Sequence, residues 1–429
     1  MSWMQSLKSS VLGPYRKALQ DVAWLSVASI AVKPLWLFFI TVLCARILGA
    51  EAYGEFNTAL SLAALAFALT NLGVVQYTVR EVAGDRSLAS RFLTNFVALR
   101  VGLFVPAAVV ALGTGILLGY EWGLLLSVGL ACAYYAAQSL IEYAHGLFQA
   151  FENLRFQALS VILEKGLVIV GGGALLLAVA SPSLTLAGMA VGMAVAMACT
   201  MWWVGRKIAP LHRDEFDTQF IGRSLRTLVP FALAGVFGMM YFRVDTVIVE
   251  AMLGTVAAGQ YGLAFRIVEA LHLLPFIVVH ASLYPRLSNL AKEARYHEVR
   301  KLIRFGAGVL TAASVLITVA LSLMAPTLIG WVATDPLLDP AGPTLRLLSW
   351  VFPATCLRVL LYATLLALND QRFIAAAIGT AVLFNIVMNF VLLPVLGIEG
   401  AALATIGSEL ALLAVYAVRY RTRLYTLST

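Results

Sequence analysis

Twelve long apolar stretches follow one another along this chain, separated by short polar segments. Each has about the 20 apolar residues that a helix needs to cross a bilayer. Hydrophobic residues make up 61% of the 429 positions and charged residues 12%, whereas soluble domains have about 45–50% and about 25%. The pattern predicts an all-α polytopic membrane protein with 12 transmembrane helices, and it excludes a disordered chain, a coiled coil and nearly all soluble enzymes. The stretches lie near 22–44, 56–79, 92–118, 122–144, 157–180, 184–205, 227–250, 257–283, 303–325, 344–366, 373–396 and 400–418.

The basic residues are concentrated in alternate gaps between these stretches. Of the 30 Lys and Arg residues, 22 fall in one set of gaps and at the two termini, while the opposite set holds Arg46 and acids such as Glu51 and Glu121. Cytoplasmic loops of membrane proteins carry this excess, so both termini are expected to be cytoplasmic. The net charge of +8 then reflects membrane topology, and we expect no nucleic-acid partner.

Two sequence echoes divide the chain into halves. The pattern Leu-Gly-x-x-x-x-Gly at 48–54 recurs at 253–259, an offset of 205 residues, and 150–158 resembles 367–375 at an offset of 217. Each half holds six apolar stretches, an even number, so both halves enter the membrane from the same side as a parallel repeat. We therefore expect two six-helix lobes around a central cavity.

The halves predict the limits of the domains. Between the lobes, the linker mixes charged and apolar residues, which favours an amphipathic helix on the membrane surface over an ordinary solvated loop. The predicted parts are a cytoplasmic N-terminal segment (1–21), the N-lobe with helices 1–6 (22–205), the cytoplasmic interlobe linker (206–226), the C-lobe with helices 7–12 (227–418) and a cytoplasmic tail (419–429).

Charged residues inside the apolar stretches are the main functional candidates, because each costs at least about 2.5–3.5 kcal/mol to insert. Five basic and five acidic residues also allow mutual pairing, and Arg266 with Glu269 share one helix face. Arg243 and Asp245 are two apart on one helix, so they cannot serve the same local partner. The set is Lys33, Lys165, Arg243, Arg266, Arg358, Glu142, Glu164, Asp245, Glu269 and Glu409.

From this set the sequence predicts one binding site. Lys33 lies in the first stretch beside Pro34, with no acid nearby in its own helix, and is the strongest signal. Lys33, Arg243 and Arg266 are the candidates for lining an anion-accepting cavity, since Lys and Arg replace the hydration of a phosphate. The acids are candidates for ion coupling or charge pairing, namely Asp245, Glu269 and Glu409. No HExxH, GxSxG or phosphate-loop motif occurs, so we expect no catalytic residue, metal or cofactor, and no enzyme.

Five segments of the sequence are distinctive, namely 45–60, 71–85, 241–271, 282–290 and 369–405. They resemble the multidrug/oligosaccharidyl-lipid/polysaccharide exporter superfamily, and within it the polysaccharide-transport, Wzx-type flippase branch. The resemblance implies two lobes around a cationic cavity and a transporter of the cell (inner) membrane. Such a transporter flips polyprenyl-diphosphate-linked oligosaccharide repeats to the outer leaflet by alternating access, for O-antigen, capsule or exopolysaccharide synthesis, beside the glycan polymerase and glycosyltransferases of its pathway. Related lipid flippases place cations on helices 1 and 8, where Lys33 and Arg266 lie here.

Two alternatives stay open. A cation-coupled multidrug antiporter of the same superfamily would use embedded acids for its cationic substrates. A membrane glycan polymerase, ligase or glycosyltransferase usually exposes a sizeable outer loop with acidic residues. The longest outer gap here is about 326–343, and no Asp-x-Asp pair occurs, which disfavours the enzyme.

Overall fold

The computed structural model describes residues 32–428, which form helices joined by short turns, with no β-strand in that range. Helices suit a bilayer because they satisfy every backbone polar group within one segment. Short π-helical segments occur at Phe38–Leu43 and Val279–Leu283. The α-helices are α1 (Cys44–Asn71), α2 (Val74–Gly84), α3 (Ala89–Leu117), α4 (Trp122–Ala150), α5 (Leu154–Val179), α6 (Pro182–Lys207), α7 (Thr218–Leu253), α8 (Thr255–Val278), α9 (Tyr284–Lys292), α10 (Tyr296–Val332), α11 (Ala341–Leu348), α12 (Val351–Ala367), α13 (Gln371–Leu396) and α14 (Ile398–Ser428).

The helices confirm an all-α polytopic membrane protein. Within residues 32–428, nine continuous helical stretches are long and apolar enough to cross a membrane, and the bent pair Pro336–Leu348 and Val351–Ala367 makes a tenth if it counts as one crossing. The number of twelve stays a prediction. Its first stretch, 22–44, begins outside the described residues. One of the nine stretches, Val32–Gly84, has 53 residues. As a straight helix it would be about 80 Å long, more than twice the hydrocarbon thickness of about 30 Å.

That long stretch is broken at Gly49, the first glycine of the predicted repeat. Its backbone has φ 74° and ψ −179°. Gly254, 205 residues later, has nearly the same angles, φ 85° and ψ 176°. This region of backbone conformation is open essentially only to glycine. The two Leu-Gly turns therefore have the same structure, which confirms the first echo.

The second glycine of each turn allows two helices to touch. A Cβ on Gly54 would lie 1.7 Å from the carbonyl oxygen of Thr255, and a Cβ on Gly259 would lie 2.2 Å from that of Ala50. Ala50 and Thr255 are themselves equivalent at the offset of 205. The contact between the starts of α1 and α8 is thus reciprocal, as an internal two-fold relation requires.

The second echo also has matching backbone. Glu152 and Asn369, 217 residues apart, both take left-handed angles, with φ 56° and φ 58°. In each turn the next amide donates to the carbonyl five residues earlier, at 2.7 and 3.0 Å. At the same offset, α5 ends at left-handed Ala180 (φ 50°) and α13 at left-handed Gly397 (φ 59°). The repeat therefore extends further than the sequence similarity indicates.

The described residues form two compact units. The first holds the residues up to Ile40 together with Ala63–Gly235, and the second holds Thr41–Leu62 together with the residues from Val236 onward. Thr41–Leu62 belongs with the later residues because its glycine turn packs directly on α8. The lobe limits predicted at 205 and 227 stay a prediction.

The end of the first unit contains the predicted interlobe linker, which comes after α6 in the sequence and contacts α3. The Nδ2 of Asn95 donates to the carbonyl of Glu215 at 2.8 Å, and its Oδ1 accepts the N–H of Asp217 at 2.8 Å. Asp217 also pairs with Arg91 at 2.8 Å. It accepts the backbone N–H of Phe220 at the start of α7, which lowers the pKa of the Asp217 carboxyl. A surface helix over the whole segment is therefore wrong: 208–217 contains one 3₁₀ turn, because α3 satisfies its backbone groups.

Candidate functional site in the second unit

Two guanidinium groups lie against one carboxylate where α7 and α8 meet. Arg243 of α7 donates to Glu269 of α8 from Nη2 at 2.7 Å and from Nη1 at 3.3 Å. Arg266, one turn before Glu269, approaches it to 3.8 Å, which confirms the predicted local pair. Nε of Arg266 also donates to Oδ1 of Asn57 in α1 at 3.3 Å. We call Arg243, Arg266 and Glu269 the arginine cluster.

The arginine cluster lies inside apolar helices, and its side chains are partly exposed. The side chains of Arg243, Arg266 and Glu269 are 16%, 11% and 27% exposed. The two-point contact of Arg243 uses the planar fork that also suits phosphate oxygens. Within the arginine cluster, Glu269 carries one negative charge against two guanidinium groups.

Asp245 lies elsewhere, as its spacing from Arg243 predicts. It is 3% exposed and accepts three hydrogen bonds from uncharged groups. Tyr261 Oη, Thr405 Oγ1 and Asn389 Nδ2 each donate to it at 2.9 Å. Among residues 32–428, Oδ1 of Asn389 is buried without a hydrogen-bond partner. Three helices besides its own, α8, α13 and α14, therefore place neutral donors on one buried carboxyl group.

Glu409 forms a third ionic group. Its carboxylate accepts from Nε of Arg358 at 2.5 Å and from the hydroxyl of Tyr241. Glu409 is 2% and Arg358 14% exposed at the side chain. Removing either partner of a buried ion pair leaves the other charge uncompensated, which destabilises the protein.

A cavity of about 400 Å³ joins the arginine cluster to this pair. Glu269 lies on one part of its wall and Arg358 on another. Of the residues described, His272 leaves its Nδ1 buried without a partner, and its Nε2 lies 3.4 Å from Thr355 Oγ1. The sequence indicates Arg358 as an embedded charge but does not predict it as part of the binding site. Aromatic rings line much of the remaining wall, from Tyr241, Phe242, Phe276 and Tyr362.

Comparison with known proteins identifies the family. The family model described as polysaccharide biosynthesis protein matches residues 18–291. The chain belongs to this family. The MatE family model matches residues 230–391. The resemblance to the polysaccharide-transport branch is thereby confirmed, and family and fold indicate a membrane transporter.

Three known proteins are similar to this family member in sequence or in fold. The chain is 30% identical over 181 residues to the "Probable flippase AglR" of Haloferax volcanii, covering 39% of this chain and 35% of that protein. The matched region thus spans about a third of the relative. An inward-facing multidrug resistance MATE transporter is similar in fold, with a TM-score of 0.79 and 14% identity over 95% of this chain and 99% of that one. The lipid II flippase MurJ, inward closed, has a TM-score of 0.73 and 14% identity over 94% and 89%.

Lys33 belongs to the first unit, whereas the arginine cluster belongs to the second. Lys33 lies near the start of the described residues, and its side chain is exposed. Arg243 and Arg266 are brought together by Glu269, whereas the grouping of Lys33 with them stays a prediction.

The first unit also contains buried charges. Lys165 pairs with Glu164 at 2.6 Å, and its ammonium lies 4.9 Å from the ring centre of Trp36. Arg100 is 0% exposed and donates to the carbonyl and hydroxyl of Ser139 at 2.6 and 2.7 Å. Sequence reasoning missed Arg100, although it lies inside the stretch 92–118 and its charge alone was a signal.

Proposed function

We propose that this protein flips polyprenyl-diphosphate-linked oligosaccharide repeat units from the inner to the outer leaflet by alternating access, for surface polysaccharide biosynthesis. The cell (inner) membrane is the proposed location, with both termini in the cytoplasm. The family match over residues 18–291 supports a role in polysaccharide biosynthesis. The similarity to a probable flippase, AglR, and in fold to the lipid II flippase MurJ supports movement of a lipid. The glycan polymerase and glycosyltransferases of the pathway are the proposed partners.

The arginine cluster is the observation on which the substrate rests. A bare diphosphate costs tens of kcal/mol in hydrocarbon by Born solvation. Arg243 and Arg266 replace its hydration, and the diphosphate competes with Glu269 for their N–H donors. Lys33 is proposed as a third contact, and the isoprenoid tail stays in lipid.

The first test is a flipping assay in proteoliposomes with a fluorescent polyprenyl-diphosphate sugar. We expect Arg243→Gln/Arg266→Gln to lower the rate at least about tenfold, because two charge-assisted contacts of about 1.5–3 kcal/mol each are lost. Arg295→Gln is the matched control, since Arg295 also pairs with two carboxylates, at 2.9 and 2.5 Å, but lies between helices. Flipping at the wild-type rate by the double variant would remove the arginine cluster from the site.

A cation-coupled multidrug antiporter is the second candidate function. The MatE match over 230–391 and the buried acids favour it. Asp245 is the residue we propose for ion coupling. Its three hydrogen-bond donors are uncharged, so none of them neutralises its charge, which stays available to a cation. Glu269 and Glu409 are proposed to serve charge pairing, because each pairs with an arginine. Export of a labelled cationic drug under a sodium or proton gradient, with no flipping of any diphosphate lipid, would replace the first proposal by this one.

A further inference from the structure

The first turns of α10 carry four basic side chains on one face. His297, Arg300, Lys301 and Arg304 are spaced i, i+3, i+4 and i+7, which places them side by side on a helix. Within the described part of the chain, these four residues alone line a cavity of about 310 Å³. We call them the basic face.

Two carboxylates lie close in sequence to the basic face and pair with a residue outside it. Glu293 and Glu298 both pair with Arg295, at 2.9 and 2.5 Å. These two acids line a neighbouring cavity of about 630 Å³, which shares His297 and Lys301 with the first. Like charges at these spacings repel one another, and an anion bound between Lys301 and Arg304 would reduce that repulsion.

An apolar row continues from the basic face along the same helix. Phe305, Val309 and Leu316 are 69%, 53% and 72% exposed. They follow Lys301 at intervals of four, four and seven residues, which keeps them on its side of the helix. Because α10 is long and apolar enough to span a membrane, a bilayer around it would place this row against lipid chains and the basic face at the hydrocarbon boundary.

We propose that the basic face binds the phosphate group of an anionic phospholipid whose acyl chains lie along Phe305, Val309 and Leu316. Lys and Arg beside a membrane attract anionic headgroups, and basic pockets between spanning helices hold them. A free phosphate matches only the basic half of this surface. A two-part ligand, charged at one end and apolar at the other, matches the whole of it. The site is separate from the arginine cluster and does not depend on the transported substrate.

Native mass spectrometry of the full-length protein tests the proposal by titration with dioleoyl phosphatidylglycerol. We expect Lys301→Gln/Arg304→Gln to weaken the tightest lipid adduct about thirtyfold, because each basic residue near an anionic lipid contributes roughly fivefold. Lys301→Arg/Arg304→Lys keeps both charges and is expected to keep the affinity. Arg206→Gln/Lys207→Gln removes the same charge from exposed side chains at the end of α6 and is expected to bind as the wild type does. Equal unfolding temperatures without lipid show that the variants are folded.

Three results would overturn the proposal. The first is wild-type affinity in Lys301→Gln/Arg304→Gln. The second is an equal loss in the α6 control, which would indicate a general effect of surface charge. The third is displacement of the lipid by glycerol 3-phosphate at the same concentration as by phosphatidylglycerol, which would show a phosphate site in which the acyl chains have no part.

Discussion

Asp370 lies at the turn between α12 and α13 and holds the end of α14. Arg419 donates to it from Nε at 2.6 Å and from Nη2 at 3.0 Å, and Arg423 donates at 3.1 and 3.2 Å. The hydrogen bond from Arg419, and then that from Arg423, lowers the pKa of the Asp370 carboxyl to about 2. Two guanidinium groups bind one carboxylate and thereby hold the last turns of α14 against the turn between α12 and α13.

The low pKa of Asp370 predicts a dependence of stability on acid. A carboxyl whose pKa is lowered by folding stabilises the protein above its unfolded pKa, near 3.8, and this contribution is lost as the pH falls through about 2. We expect Asp370→Asn to lower the stability at pH 7 by about 1–2 kcal/mol, since both arginines are about a third exposed. Thermal unfolding in detergent between pH 7 and pH 2 measures it. Asp214→Asn, at an exposed position, is the control. An Asn variant as stable as the wild type at pH 7 would contradict the prediction.

The charged residues show which contacts a sequence reveals. Arg266 and Glu269 are three apart on one helix, so the helical period alone predicts their contact, and the structure has it at 3.8 Å. Arg358 and Glu409 lie on different helices, 51 residues apart. No local pattern predicts that pair, because it depends on how α12 packs on α14.

At the scale of helices, the crossing of α1 and α8 depends on Gly54 and Gly259. We expect Gly259→Ala to lower stability by about 1–3 kcal/mol, because its Cβ would lie 2.2 Å from the carbonyl oxygen of Ala50 and the helices would have to separate. Thermal unfolding in detergent is the measurement. Gly308→Ala in α10 is the matched control, since a Cβ there meets nothing within 4 Å, and alanine favours a helix by about 1 kcal/mol. Equal unfolding temperatures of Gly259→Ala and the wild type would refute the close crossing.

Helix limits follow the sequence where a strong local signal exists. The Leu-Gly turns at 49 and 254 have backbone angles reserved for glycine, so residue type alone indicates a break. The linker at 208–217 lacks such a signal. Its extended path depends on Asn95 and Arg91 of α3, more than a hundred residues earlier.

At the scale of the whole molecule, Lys33 and Arg266 are proposed to act on the same substrate. Lys33 belongs to the first unit and Arg266 to the second. If both contact one diphosphate headgroup, their substitutions act on the same interaction and are not additive. We expect Lys33→Ala and Arg266→Ala each to lower the flipping rate, and the double variant to lose less than the product of the two effects. Flipping rates of the four proteins give the coupling, and a product of independent effects would place Lys33 outside the site.

The apolar stretches, the alternation of basic gaps and the glycine turns are properties of neighbouring residues, so the sequence by itself determined an all-α membrane protein with an internal repeat. Membership of the polysaccharide biosynthesis family was indicated by the resemblance of sequence segments and is shown by the family match over residues 18–291. The partners of the embedded charges were decided only by tertiary structure: Asp245 meets residues of α8, α13 and α14, and Glu409 meets Arg358. The physical reason is that a helix period shows which side of a helix a charge occupies, whereas the packing of distant helices selects the group it faces.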